Sequence, residues 1–161
     1  MPAVDIKEHN QLAVEQFIRQ LAETGRAAAA FGEAARWGRL DLLKELLAGG
    51  LAVDSRDEHG TTALMLAASG GQVKAVKYLL EQNPDVNAVA AGSGMTPLIS
   101  CLAARHQKRV YLSICKLLLD AGATSSLAIR DKSGRTALDW ASDGRPAEVV
   151  SLIENYGRPK P

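Results

Sequence analysis

The order of apolar and polar residues repeats four times along this chain of 161 residues. In the second copy, a short apolar stretch at 62–69 leads to glycines at 70–71. A second stretch then places Val73, Val76 and Leu79 at the spacing of one helix face. Comparable stretches begin at residues 29, 96 and 136. Each copy therefore predicts two helices joined by a short turn, and the third copy contains five extra residues.

The second stretch of each of the first three copies is followed by residues that end a helix. These are Ala48-Gly49-Gly50, Asn83-Pro84 and Ala121-Gly122. Glycine and asparagine readily take the left-handed conformation, and proline cannot continue a helix. Extended segments with tight turns follow, as in "AVDSRDEHG", "DVNAVAAGSG" and "LAIRDKSG". Because one helix pair cannot bury its apolar side alone, we predict an all-α solenoid of stacked helix-turn-helix units with β-hairpin-like turns.

The two ends of the chain lie outside the repeated pattern. Residues 1–27 are predicted to form an N-terminal capping helix. Its apolar side chains form one stripe with two flanking positions: Ile6, Ala13, Phe17 and Leu21, flanked by Val14 and Ile18. We expect the stripe to cover the open end of the stack, and the alternative is a helix that binds a partner. Residues 157–161 are expected to form a frayed tail.

Several segments share one pattern in register: "DEHGTTALMLAASGGQVKAVKYLLEQNPDVNA", and in part "GMTPLIS", "KLLLDAGA" and "DKSGRTALDWAS". This pattern resembles that of the ankyrin-repeat family over about residues 28–156. The resemblance implies four repeats, at about 28–57, 58–90, 91–130 and 131–156. The family's histidine after Thr-Pro-Leu is replaced in every copy, by Gly32, Met65, Ile99 and Asp139. That histidine supports a hydrogen-bond network in the family, so we expect weaker local stability within the same fold.

Composition narrows the classes of function. Hydrophobic residues make up 47% of the chain and charged residues 23%, which is typical of a folded domain. The net charge of +1 gives no general attraction to nucleic acid or to anionic membranes. No apolar run approaches the roughly 20 residues of a membrane-spanning helix, and the start "MPAVDIKEHNQ" lacks the features of a signal peptide. We expect a cytoplasmic protein that is a monomer on its own.

Residues that could carry chemistry do not form a recognisable catalytic or metal-binding motif. The histidines lie in three different segments: His9, His59 and His106. Cys101 and Cys115 are interpreted as reduced, packed thiols. Asp54, Asp57 and Glu58 are interpreted as turn residues rather than as an acid-base pair. The sequence therefore predicts that the chain is not an enzyme and that it has no cofactor and no metal.

The family resemblance implies a protein partner, bound through a concave surface of turn tips and first-helix faces. The family's contact positions correspond here to Arg36, Trp37, Glu58, His59, Thr61, Ser69, Ser93, Met95, Lys132, Ser133, Arg135 and Asp143. An exposed tryptophan beside an arginine is typical of a binding hot spot, which favours Trp37. The alternative is that Trp37 packs against the N-terminal helix, whereas Trp140 occupies a core-facing position.

The extra residues of the third copy give a basic cluster near Tyr111: Arg105, His106, Lys108 and Arg109. One interpretation is a solvated loop between two lengthened helices. The others are a surface for an acidic protein and, less favoured, a contact for nucleic acid.

One further segment, "LLEQNPDVNA", resembles the site that asparaginyl hydroxylase modifies in ankyrin repeats. That resemblance implies Asn87 as the residue that would be hydroxylated. In the alternative interpretation, which we favour, the Asn87 side chain bonds the backbone of the turn.

Together these features predict a non-catalytic adaptor or inhibitor that binds one protein partner of unknown identity. We expect an acidic or mixed-charge surface of the partner to dock on a groove that presents Arg36, Trp37, His59 and Arg135. A preformed groove loses little conformational freedom on binding. The alternative function is a regulatory subunit of an enzyme or nucleic-acid complex that acts through the basic insertion at 105–109.

Overall fold

A computed structural model describes residues 6–158 of the chain. Within this range nine α-helices follow one another: α1 Ile6–Glu23, α2 Ala27–Arg36, α3 Leu40–Ala48, α4 Ala63–Ser69, α5 Val73–Leu80, α6 Pro97–Ala103, α7 Lys108–Asp120, α8 Ala137–Ser142 and α9 Ala147–Gly157. A 3₁₀ turn at Ala123–Ser126 follows α7. The extended segments of this range pair only at one isolated bridge, between Arg56 and Thr62. None of the helices in this range combines the length and the apolar character that a membrane crossing requires.

The helices form two packed layers. The first layer contains α2, α4, α6 and α8, each in contact with the next, and α1 packs against the outer side of α2. The second layer contains α3, α5, α7 and α9, again in chain order. Each first-layer helix also packs against the second-layer helix that follows it. This arrangement confirms the predicted all-α solenoid of helix pairs with an N-terminal capping helix.

Small and branched apolar side chains form one large core and a second, much smaller buried cluster. Alanines such as Ala34 and Ala67 are fully buried in the first layer, where they allow adjacent helices to approach closely. Leu43, Leu79 and Leu118 are fully buried between the two layers. Their burial explains why a chain with so few aromatic residues still forms a packed interior.

The capping helix uses a different face from the predicted one. Ile18 and Leu21 are buried and Val14 packs beside them, but the side chain of Phe17 is 49% exposed. The expectation that Phe17 shares the buried stripe is therefore wrong. The buried face is centred on Ile18, and each residue of a helix is rotated about 100° from its neighbour. The side chain of Ile6 and residues 1–5 lie outside the described part of the chain.

The insertion in the third copy is mostly helical. Helix α6 has 7 residues, as α4 does, whereas α7 has 13 residues against 8 in α5. The expectation of two lengthened helices is correct for α7 and wrong for α6. The extra residues add about one helical turn at the start of α7. At the C-terminus, Gly157 is still part of α9, so the tail predicted from this residue begins later, and residues 159–161 lie outside the described range.

Threonine caps fix the first helix of the last three copies. The side chains of Thr62, Thr96 and Thr136 each accept a hydrogen bond from the backbone N–H three residues later. In the fourth copy, Asp139 occupies the place of the family's histidine. Its carboxylate accepts hydrogen bonds from the backbone N–H and the hydroxyl of Thr136, at 2.8 and 2.7 Å. Asp139 thus forms a capping box that supplies local hydrogen bonds where the histidine is absent.

Candidate functional site

The turn tips of successive copies are hydrogen-bonded to one another. The N–H of Gly92 donates to the carbonyl oxygen of His59 at 2.8 Å, and the N–H of Lys132 donates to that of Ser93 at 2.9 Å. Gly94 has a φ of 73°, and a Cβ at this position would lie 2.9 Å from the nitrogen of Lys132. Only glycine therefore allows this close stacking without strain. The tips form one connected edge whose side chains keep fixed relative positions.

Aspartate side chains stabilise the individual tips by accepting hydrogen bonds from backbone N–H groups. Asp57 Oδ1 accepts hydrogen bonds from the N–H groups of His59 and Thr61, at 2.9 and 2.8 Å. Asp54 accepts hydrogen bonds from the N–H of Asp85 in the next copy, at 3.0 and 3.1 Å. These contacts agree with the interpretation of these carboxylates as turn residues.

Asp131 has the same role in the fourth copy, but it is more deeply buried. Its carboxylate accepts hydrogen bonds from the N–H groups of Ser133 and Arg135, from the Ser133 hydroxyl, and from the indole N–H of Trp140. Burial favours the protonated acid, but these donors outweigh it and lower the pKa of Asp131 to about 2. The charged carboxylate thus holds the tip and half-buried Trp140 together.

A groove of about 250 Å³ lies between the second and third copies, beneath these tips. Its lining combines hydroxyl groups with apolar side chains, two of which are methionines: Thr61, Met65, Leu66, Ser69, Ala90, Ser93, Met95, Ser100, Ala103 and Ala104. None of these lining residues is charged. Hydroxyl groups can both donate and accept hydrogen bonds, and methionine adapts its shape to what it contacts. The groove is therefore suited to an uncharged segment with available backbone groups.

Four of the predicted contact residues meet in this groove: Thr61, Ser69, Ser93 and Met95. The sequence interpretation missed the other six lining residues, which are Met65, Leu66, Ala90, Ser100, Ala103 and Ala104. A simple signal could have found the last two. The third copy follows the second with a constant offset from Thr62/Thr96 up to the insertion, so Ser69 corresponds to Ala103 and Gly70 to Ala104.

The predicted charged contacts lie outside the groove, and several already have intramolecular partners. Glu58 pairs with Arg26 at 2.8 Å, and Arg36 pairs with Glu33 at 3.5 Å. Arg135 pairs with Asp143 at 2.9 Å and its guanidinium lies 3.8 Å from the centre of the Trp140 ring. The side chains of three other candidates are exposed at the tips: His59, Lys132 and Ser133. Each of the paired side chains therefore presents less net charge to a partner than an unpaired one would.

Trp37 is both exposed and close to the capping helix. It follows the last residue of α2, its side chain is 54% exposed, and its indole N–H donates to Glu33 at 3.2 Å. Together with Gln11, Val14 and Arg39 it lines a shallow pocket of about 140 Å³. Trp37 is thus separate from the groove between the second and third copies, and it shares its pocket with α1.

The structure divides the predicted basic cluster. His106 is half-buried against Tyr111, with ring centres 5.3 Å apart, and burial lowers the pKa of His106. Lys108 forms an ion pair with Glu148. Arg105 and Arg109 are exposed. The cluster therefore presents two arginines rather than four equivalent basic groups.

The remaining candidates have packing contacts. The side-chain N–H of Asn87 donates to the carbonyl oxygen of Gly122 in the next copy at 3.1 Å. Cys101 and Cys115 are fully buried and form no disulfide bond. A hydrogen bond with the Cys115 thiol, together with burial, raises the pKa of Cys101 well above its usual range. A protonated, buried thiol is a poor nucleophile. Among the side chains described, those of residues 11–158, no group of three or more possible metal ligands is present.

Comparison with known proteins adds to this geometry. The family model for ankyrin repeats in three copies matches residues 6–90 and 31–125. The "Ankyrin repeat, SAM and basic leucine zipper domain-containing protein 1" of Dasypus novemcinctus is 31% identical over 142 residues, which cover 88% of this chain and 29% of that protein. Its Bos taurus counterpart is 34% identical over 120 residues, covering 74% of this chain and 25% of the relative.

A human relative is more similar over a shorter segment. The "Ankyrin repeat domain-containing protein 29" of Homo sapiens is 53% identical over 66 residues, which cover 40% of this chain and 22% of that protein. The chain thus spans less than a third of the length of each of these three relatives.

Proposed function

Because the chain belongs to the ankyrin-repeat family, we propose that it is a non-catalytic module that binds a protein partner through the groove between the second and third copies. Ankyrin repeats generally mediate protein–protein interaction, and this general role is the starting point of the proposal. The more specific role is that of an adaptor or inhibitor. We further propose that it acts in the cytoplasm and as a monomer on its own.

The observation that carries the proposal is the preformed, uncharged groove beneath hydrogen-bonded tips. Its volume of about 250 Å³ lies below the range of roughly 300–1,000 Å³ that is usual for small-molecule sites. The groove therefore suits one or two side chains of a protein segment better than a free organic ligand. Because the tips are tied to one another by the backbone bonds of Gly92 and Lys132, little freedom is lost when the partner binds.

The groove also changes the chemistry expected of the partner. An acidic surface docked on Arg36 and Arg135 is less favoured, because Glu33 and Asp143 already neutralise these two side chains. We propose instead that the partner places an uncharged segment against the partly exposed side chains of Thr61, Ser69 and Met95. The residues on either side of that segment of the partner would then contact the exposed tips at His59 and Lys132.

Affinity capture from an extract of the cells that make the protein tests this proposal. The variant Ser69→Arg/Ala103→Arg places two large charged side chains in the groove. The matched control, Ser151→Arg/Ala48→Arg, makes the same substitutions at exposed positions of α9 and α3. We expect a protein that is retained by the wild type and by the control and is lost by the groove variant.

The melting temperatures of both variants should be compared first, so that only folded protein is used. Equal capture of the same proteins by the wild type and by the folded groove variant would contradict the groove as the binding surface.

A further inference from the structure

Positive charge is concentrated in the two middle copies. Between residues 61 and 119 the only acidic residues are Glu81 and Asp85. The same segment contains six basic residues: Lys74, Lys77, Arg105, Lys108, Arg109 and Lys116. The whole chain carries a net charge of only +1, so this excess is local and is balanced elsewhere along the chain.

Two of these six residues are neutralised by the fold. Lys108 pairs with Glu148, and Lys116 lies 3.7 Å from Asp120. The other four are exposed and form no ion pair with any residue of 11–158, whose side chains the structure describes: Lys74, Lys77, Arg105 and Arg109. We call these four side chains the cationic face.

The members of the cationic face belong to adjacent elements. Lys74 is in the first turn of α5 and Arg109 is in the first turn of α7, and these two helices pack against each other. The turn before α5 touches the start of α7, because a Cβ at Gly71 would lie 2.9 Å from the His106 ring and 3.3 Å from Val110. Three members of the cationic face therefore lie on the second layer, and Arg105 lies on the loop that leads into it, whereas the groove is lined by the first layer, the tips and Ala104.

Hydrogen bonds from the side chains of Tyr111 and Arg145 fix the backbone of the loop that carries Arg105. The Tyr111 hydroxyl donates to the carbonyl oxygen of Ala104 at 2.6 Å and accepts from the N–H of His106 at 3.2 Å. Arg145 Nε donates to the carbonyl oxygen of Leu102 at 2.7 Å. These bonds hold the backbone on both sides of Arg105 in place. Arg105 is thus presented on a fixed backbone, which reduces the ordering cost of binding.

We propose that the cationic face binds an acidic segment of a protein, independently of the groove. Unpaired cations on a rigid surface attract a segment rich in Asp and Glu and fix its orientation. Nucleic acid is the less suitable occupant, because proteins that bind single strands stack bases on exposed aromatic rings. Tyr111 is only 3% exposed and Tyr78 is half-buried beneath Lys44, so neither ring offers such a platform.

Fluorescence anisotropy with a labelled oligoglutamate peptide at low salt tests the proposal. We expect the wild type to bind the peptide and the variant Lys74→Glu/Arg109→Glu to bind at least about tenfold more weakly, because each reversal replaces an attraction by a repulsion. The control Arg26→Glu/Arg158→Glu has the same change in charge but alters a paired arginine before α2 and a residue after α9. It should bind nearly as the wild type does, and binding should weaken as salt is added.

Three results would overturn the proposal. The first is no binding of oligoglutamate by the folded wild type at low salt. The second is an equal loss of affinity in the two double variants, which would show a general effect of charge. The third is tighter binding of an oligo-dT or RNA strand of the same length, which would make nucleic acid the occupant. A groove variant without added charge, Ser69→Leu/Ala103→Leu, should bind oligoglutamate as the wild type does.

Discussion

A single buried carboxylate organises the fourth turn tip. Asp131 is 6% exposed and keeps its charge because its carboxylate accepts hydrogen bonds from Ser133, Arg135 and Trp140. Its pKa falls from an ordinary value of 3.8 to about 2 in the folded chain. The unfolded chain therefore binds this proton more tightly than the folded chain does. The contribution of Asp131 to the free energy of unfolding is therefore fully present above about pH 4, and it is lost as the pH falls toward about 2.

This difference predicts a specific pH dependence of the free energy of unfolding. A shift of this size corresponds to about 2 kcal/mol, so the wild type should lose about that much more stability than Asp131→Asn between about pH 4 and pH 2. At neutral pH the variant should be less stable by a similar amount. Urea denaturation across this pH range measures both values, and parallel curves for the two proteins would contradict the role given to Asp131.

Residue-level features were only partly predictable from the sequence. Asp57 and Asp131 could be assigned to turns because a glycine follows each at the same distance. The pairing of Arg135 with Asp143 could not be predicted, because it joins a turn to the end of α8 across eight residues. Side-chain pairs of this kind depend on the three-dimensional path of the backbone between the two residues, and local sequence patterns do not encode that path.

At the scale of elements, the turn between the two helices of a pair is packed tightly against its neighbour. Gly70 follows α4 with a φ of −76°, and a Cβ here would lie 2.2 Å from the carbonyl oxygen of Arg36. Gly49 follows α3 with a similar φ of −73°, but its nearest contact would be 3.3 Å, to the carbonyl oxygen of Leu46. The two glycines thus differ in packing and not in backbone conformation.

Alanine substitution at Gly70 and at Gly49 should separate the effect of packing from the effect of backbone conformation. Gly70→Ala must displace the backbone of the preceding turn, and we expect a loss of about 1–3 kcal/mol in the free energy of unfolding. Gly49→Ala needs a small adjustment only, so its loss should be below about 1 kcal/mol. Urea denaturation of both variants provides the comparison. Equal losses would show that stacking of the turns is not the constraint at Gly70.

The same elements show what the sequence could predict about the helices. The start of α4 could be placed at Thr62 because threonine caps helices, and its end because Gly70-Gly71 follows the apolar run. The extra turn of α7 could not be placed, because Gln107 provides no side-chain cap and the insertion contains no turn signal. Five extra residues are compatible with either a loop or a helical turn until the packing of Tyr111 is known.

At the scale of the whole molecule, the two helix layers present different chemistry. The first layer and the tips enclose an uncharged groove, and the second layer and the loop that leads into it carry the cationic face. If both proposals hold, one chain can contact an uncharged segment and an acidic segment at the same time. Such a double contact could raise the overall affinity well beyond that of either site, provided that one partner can reach both.

The solenoid followed from the sequence because its signal recurs in every copy, whereas the groove did not. The groove is lined from two copies at once, and its third-copy residues precede an insertion that interrupts the register. The sequence also did not predict that the groove is uncharged. Arg36 and Arg135 occupy contact positions of the family, but neither residue lines the groove. Repeats predict a scaffold reliably, but the chemistry of a surface depends on which copies face each other.

The central claim is that the groove between the second and third copies receives the protein partner. Nuclear magnetic resonance of protein labelled at its methionine and isoleucine methyl groups tests it most directly, in a titration with the captured partner. Met65 and Met95 line the groove, and Ile153 is buried in α9 as an internal reference. We predict that the signals of Met65 and Met95 shift or broaden on binding while that of Ile153 does not. Binding that leaves both methionine signals unchanged would contradict the account.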